Sequence, residues 1–173
     1  MSQSRSRFET SLDELGVSIT VSTETSLPAD IDDVITTPAV GVALGEALGL
    51  DANPLTETAV AVDPTPAALR QATTGVTAAT LAVADYGSLV LTMDDRASEL
   101  VSLFVDEHVI LLRERDLMSG LEATVDAVER RVTESSGSAI IATGPSATAD
   151  MGELILGAHG PKEVHLIVIE EGA

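Results

Sequence analysis

The sequence predicts an α/β domain in which a mostly parallel sheet is flanked by helices and carries one β-hairpin. Three observations point there. Apolar, β-branched runs of strand length alternate along the chain with helical patterns. Hydrophobic residues make up 45% of the 173 but aromatics only 2%, so Ala, Val, Leu and Ile must fill the core, which suits helices packed closely on a sheet. The tail reads as a βαβ unit: a strand over 139–142, the turn Thr143-Gly144-Pro145-Ser146-Ala147-Thr148-Ala149-Asp150, a helical pattern on Met151, Leu154 and Ile155, the turn Gly157-Ala158-His159-Gly160-Pro161-Lys162, and a strand over 164–169. Its small-residue loop follows a strand's carboxyl end, where open α/β sheets place their ligands.

The elements follow in order. Phe8, Leu12 and Leu15 at helical spacing give a helix over 2–15 that Gly16 stops. Val17 to Val21 alternates with period two and is a strand. A turn of helix around Pro28 leads to a second strand candidate at 34–36. A small helix, weakened by Gly45, is expected over 41–48, and loop over 49–57. A strand over 58–62 is closed by Asp63-Pro64-Thr65-Pro66, after which 67–72 is helical, because proline opens a helix but cannot continue a strand. Two apolar runs within 75–91, separated by Asp85-Tyr86-Gly87, form a β-hairpin with Gly87 in the left-handed position. A short helix spans 96–104 and a buried strand 109–112. Asp116 caps a helix carrying Leu117, Leu121, Val125, Val128 and Val132 on one face, with Arg130 and Arg131 near its negative end.

One domain is expected over 1–173, with a helical and strand segment at 1–57 and a motif-bearing core at 58–170. Charge is the loudest compositional signal: 28 acidic residues face nine basic ones, a net charge of −19, and Lys162 is the sole lysine. The acids are scattered and form no block, as on a halophile's surface, where counter-ions screen self-repulsion. An acidic face for a basic partner is the other reading. Nucleic acid is excluded as a partner for want of a basic patch. With no cysteine the chain carries no disulfide, thiolate metal site or iron–sulfur cluster of its own. No apolar run reaches membrane-spanning length and no leader's apolar stretch follows Arg5 and Arg7, so the expectation is a soluble, cytoplasmic protein without membrane contact.

The segments 75–91, 144–150 and 157–162, in that order, resemble the LUD domain family of lactate-utilisation proteins of LutC type. That family shows Gly-Val-Thr-Gly-Ala-Asp running into Ala-Glu-Thr-Gly-Thr, then Gly-Pro-Ser-Arg-Thr-Ala-Asp, then Gly-Val-His-Gly-Pro. Here Thr80 stands for the family's Asp, Asp85 for Glu, Tyr86 and Ser88 for Thr, and Ala147 for Arg. The resemblance, good over about 58–170, implies a three-layer fold of the NagB/RpiA/CoA-transferase-like class, and a source among halophilic archaea is expected. It also implies a setting beside iron–sulfur partner subunits that oxidise L-lactate to pyruvate.

Several residues are candidates for chemistry. Asp85, on a tight turn like the Glu-Asn-Gly turn of related CoA-transferases, is the candidate nucleophile or acid/base group; equally, it is a turn residue bonding its own backbone. His159 is the candidate proton donor, with Lys162 and Gly160 beside it. Gly144, Ser146, Thr148 and Asp150 are expected either to hold a small anion at a helix start or to cap that helix. Gly87, Ser88, Arg96 and Ser98 complete the pocket by resemblance. His108 and His159 with nearby acids lack metal-ligand spacing, so no metal is expected, and no G-x-G-x-x-G follows a strand, so no nicotinamide. Three functions stay open: an accessory lactate-utilisation component binding a small anionic metabolite or partner subunit, a stand-alone acyl- or CoA-transferase using Asp85, and an assembly module without catalysis. A homodimer is an option if a sheet edge or apolar face is uncovered.

Overall fold

A computed structural model of the chain describes residues 3–93, 97–135, 137–150 and 152–171. From the amino end the elements are α1 (Gln3–Glu14), β1 (Ser18–Ser22), α2 (Leu27–Val34), β2 (Ala39–Gly41), α3 (Gly45–Leu48), a 3-10 turn (Pro54–Glu57), β3 (Val60–Val62), α4 (Pro66–Gln71), β4 (Thr74–Ala78), β5 (Leu81–Val83), β6 (Ser88–Thr92) and α5 (Ser98–Leu103). Then come β7 (Glu107–Arg113), a second 3-10 turn (Glu114–Asp116), β8 (Leu117–Met118), α6 (Leu121–Ser135), β9 (Ala139–Thr143), β10 (Ala147–Asp150), β11 (Glu153–Leu156) and β12 (Glu163–Ile169).

The expected parallel sheet is present. Six strands in the order β1-β12-β7-β4-β2-β3 pair in parallel throughout. Side chains alternate across it. Val109 and Leu111 of β7 pack with Leu27 and Ile31 of α2 and Leu48 of α3. Ile110 and Leu112 meet Phe8 and Leu12 of α1 and Leu89 and Leu91 of a second, four-stranded sheet, ordered β8-β5-β6-β9. The far side of that sheet, Leu81 and Val90, packs on Ala127 of α6. Helix α5 lies directly on β4, because a Cβ at Gly75 would come within 2.6 Å of the Val101 carbonyl oxygen.

Five local expectations change. The tail helix is a β-ribbon: β10 and β11 pair antiparallel, Ala149 opposite Leu154, with Gly152 at φ 89° in the turn. Leu154 and Ile155 lie three and four residues after Met151, but they also alternate within a strand, and so short a run cannot separate the two periods. One ribbon face carries Ala147, Ala149, Leu154 and Leu156, with the leucines 71% and 50% exposed. The 75–91 hairpin exists as β5–β6, but its first arm divides at 79–80, leaving β4 in the large sheet. Residues 34–36 form no strand: the Thr74 hydroxyl lies 2.9 Å from both the N and the O of Thr36, taking the place of a ladder partner, and pairing starts at β2, where part of a helix was expected. Asp116 caps no helix, because Leu117–Met118 pair with Ala82 and Val83 and α6 begins only after Gly120.

The carboxyl edge of the large sheet is stitched by charge. Arg113, at the end of β7, is buried; its Nε donates to the Leu48 carbonyl at 2.8 Å and its guanidinium meets Glu24 and Glu171. Arg5 of α1, also buried, meets Glu9 at 2.6 Å, Glu114 at 3.0 Å and Glu170 at 4.0 Å.

Candidate functional site

At the opposite, amino edge the inner face of the large sheet and the small sheet frame a half-open cavity of about 310 Å³. Its walls are mostly aliphatic: Leu89 and Leu91 of β6, Ile140 and Ala142 of β9, Ile110 of β7 and Val164 of β12. Leu103 and Ser102 of α5 close one side, and the turns 143–147 and 159–161 form the rim.

The two turns are locked to each other. The Ser146 N–H donates to the Pro161 carbonyl at 2.8 Å, and the Gly157 N–H donates to the Ser146 carbonyl at 2.9 Å. Gly160 leaves room for Ser146, whose Cβ would stand 3.1 Å from a Cβ at 160. Gly144 and Gly87, at φ 69° and 64°, both pack against Leu15, where side chains would stand 3.2 Å from its Cβ and 2.9 Å from its Cδ1. The left-handed turn predicted at Gly87 is therefore present, and the contact with α1 adds a second reason for glycine there.

Polar side chains in the lining are few: Ser102, His108, Thr143, Ser146 and His159. Among the described residues no Arg, Lys, Asp or Glu lines the cavity, although the chain carries 28 acids. The Ser102 hydroxyl donates to the Glu99 carbonyl at 2.8 Å; Thr143 shares a 2.7 Å hydroxyl contact with Ser88. His108, 2% exposed, lies with Nε2 2.7 Å from the Thr77 hydroxyl. Burial pushes its imidazole down to about 3, so it is neutral. No group of three or more His, Asp or Glu gathers as a cation site among the described residues.

The structure brings together Gly87, Gly144, Ser146, His159 and Gly160, all on the lining. Ser88 reaches it only through Thr143. Asp85 stays apart: it sits on the exposed hairpin turn, its carboxylate 2.6 Å from Arg7, and does not line the cavity. Lys162 turns outward to Asp106 at 2.9 Å. Thr148 lies in the ribbon, half-buried and off the lining. Because no helix follows the 143–150 turn, Ser146 and Thr148 are neither helix caps nor a helix-start anion site. Asp150 ends β10, its side chain outside the described residues; Arg96 is outside them altogether. Ser98, nearly buried, opens α5 away from the lining. His165 faces the other side of the sheet, bonded to the Thr20 hydroxyl at 2.8 Å, its imidazole lowered by burial.

Sequence reasoning passed over His108, Thr143 and Ser102 as lining residues. For His108 a signal existed. It shares strand parity with Ile110 and Leu112, so it belongs on their buried face.

A family model for the LUD domain matches residues 6–169. The crystal structure of a DUF162 family protein from Deinococcus radiodurans is similar to this chain at TM-score 0.75 and 24% identity, covering 98% of this chain and 99% of that one. At that identity the likeness speaks for the fold, a mostly parallel sheet flanked by helices. No curated protein matches the chain.

Proposed function

Because the chain belongs to the LUD domain family, which is associated with lactate utilisation in general, we propose that it is an accessory component of L-lactate oxidation to pyruvate that binds a small carboxylate of that chemistry. The observation that carries this reading is the meeting of the 143–147 and 159–161 turns on one cavity. The ligand's alkyl end would lie against the aliphatic walls, and its carboxylate at the rim, near the Ser146 hydroxyl and His159. With no arginine or lysine in the lining among the described residues, salt must screen the surrounding acids for an anion to approach. Electron transfer falls to iron–sulfur partner subunits, since a chain without cysteine cannot ligate a cluster by thiolates. The same reading sets the protein in the cytoplasm of a halophile; among the described residues no helix is long and apolar enough to cross a membrane.

Acyl or CoA transfer through Asp85 is the weaker reading, because that carboxylate is engaged by Arg7 and stands off the cavity. The test is an amide NMR titration with L-lactate and pyruvate in molar salt. Shifts at 144–147 and 159–161, with none at 84–87, are the expected result. A titration that moves none of the rim amides sinks the proposal and leaves an assembly role.

A further inference from the structure

His108 is buried in a cavity wall, yet only one of its ring nitrogens has work to do. Along β7 the side chains of 108, 110 and 112 share one face, which is also the face of Thr77 and Val164 in the flanking strands. The imidazole therefore projects between the sheets, toward the cavity it lines. Nε2 is taken by Thr77; Nδ1 has no hydrogen-bond partner among the described residues. Among these residues no fully enclosed side-chain nitrogen or oxygen lacks a partner, so Nδ1 is not sealed off. His108 lines this cavity and a smaller one at the strand ends, and its place on the inner face points the ring to the first.

Valence decides which nitrogen carries the proton. The Thr77 hydroxyl, itself buried, has no other partner among the described residues. If it accepted from Nε2–H, its own proton would be stranded in an apolar wall, at a cost of about 1–3 kcal/mol. Donating to Nε2 removes that cost and fixes the neutral ring with its proton on Nδ1. The cavity wall thus offers, at His108, an uncharged donor among aliphatic neighbours.

We propose that His108 is the specificity-determining residue of this cavity, donating from Nδ1 to a ligand carbonyl, and that the ligand class is a 2-oxo acid with an aliphatic chain longer than pyruvate's methyl. The inference rests on the cavity being the ligand site and names what fills it. An uncharged donor in an apolar wall suits a carbonyl, a neutral acceptor, while the acid's carboxylate on the next carbon stays at the rim beside Ser146 and His159. The length follows from size: 310 Å³ is roughly ten waters' worth at ~30 Å³ each, more than a three-carbon acid fills.

The experiment titrates wild-type protein, in molar salt, with L-lactate, pyruvate, 2-oxobutanoate and 2-oxohexanoate, read by calorimetry and by long-range 1H–15N NMR of the imidazoles. The expected wild-type signature is a protonated Nδ1 and a bare Nε2 at His108, with the Nδ1 resonance moving on binding. Affinity should rise about fourfold per added methylene. His108→Gln, which keeps a group near Nε2 and removes the Nδ1 donor, should lose about tenfold in affinity for the oxo acids. His108→Asn, whose amide reaches the Nδ1 position, should stay within about threefold. A bare Nδ1 in the wild-type spectrum overturns the inference whatever the variants do, as does unchanged affinity in a folded His108→Gln. Lactate and pyruvate binding without regard to His108 keeps the accessory-component reading and removes this one. Long 2-oxo acids binding through His108 while lactate does not has the reverse outcome, and no binding by any acid removes both.

Discussion

The two edges of the large sheet are built on opposite principles. At the carboxyl edge, two buried arginines are held by carboxylates from α1, from the chain after β1 and from the turns after β7 and β12. At the amino edge no Arg, Lys, Asp or Glu lines the cavity among the described residues, and the His108 imidazole is held neutral. Open α/β sheets usually place a ligand in the crevice outside the carboxyl ends of the strands. Here arginine and glutamate pairs occupy that position. The site is instead assembled at the other edge from turns that the small sheet and β12 supply. In a chain of net charge −19 the division has a clear benefit: two arginines neutralise carboxylates where strand ends crowd them, and among the described residues no Arg, Lys, Asp or Glu is placed in the cavity lining.

The contrast can be broken most strongly at the carboxyl edge. Glu24→Ala with Glu171→Ala strips both carboxylates from the buried guanidinium of Arg113 and should cost ~3 kcal/mol. For a chain of this size that is a drop of roughly 6–12 °C in Tm, while 2-oxo acid binding stays intact. Retained stability would mean that the edge is not held by charge. A smaller effect should separate the amino edge. Because His108 is neutral when folded, with its pKa lowered from 6.5 to about 3, the unfolded chain binds the proton first on acidification. Its contribution is therefore complete above pH 6.5 and is lost as pH falls from 6.5 toward 3, at about 1.4 kcal/mol per unit. Denaturant melts at pH 6.5 and 5.0 should show wild type losing ~1–2 kcal/mol more than His108→Asn; equal losses would show that the imidazole charges freely in the fold. Smallest of all is Asp85→Asn. Its partner Arg7 is exposed, so the pair is worth below about 0.5 kcal/mol, and neither stability nor ligand affinity should move measurably. A large loss of activity in that variant would restore Asp85 to the chemistry.

Much of the parallel sheet could be read from the residues. β1, β7 and β12 are β-branched or aliphatic runs with no competing period; β7 and β12 are buried nearly throughout, and β1 is marked by its alternation. Residues 75–91 carried the hairpin, but nothing local shows that the first arm changes sheets at 79–80, since that depends on which strands arrive later as neighbours. The tail failed for a different reason: Met151, Leu154 and Ile155 satisfy a helical period and a strand period alike, and Gly152 at φ 89° tips the outcome. At the site, Gly144, Ser146 and His159 were found through their turns. His108 was hidden because a histidine after Asp106-Glu107 looks like part of a polar connection until its parity with Ile110 and Leu112 is counted. Asp85 was drawn in by likeness to a motif, and likeness carries no coordinates.

The close seating of α5 on Gly75 has one more consequence. The wall that Ser102 and Leu103 give the chamber belongs to a helix whose main chain, with the Val101 and Val105 side chains, sits hard against β4. Exchanging Leu89, Leu91 or Ile140 for smaller or larger aliphatics should therefore recontour the interior, and with it the preferred length of the guest, against a wall that has little room to follow.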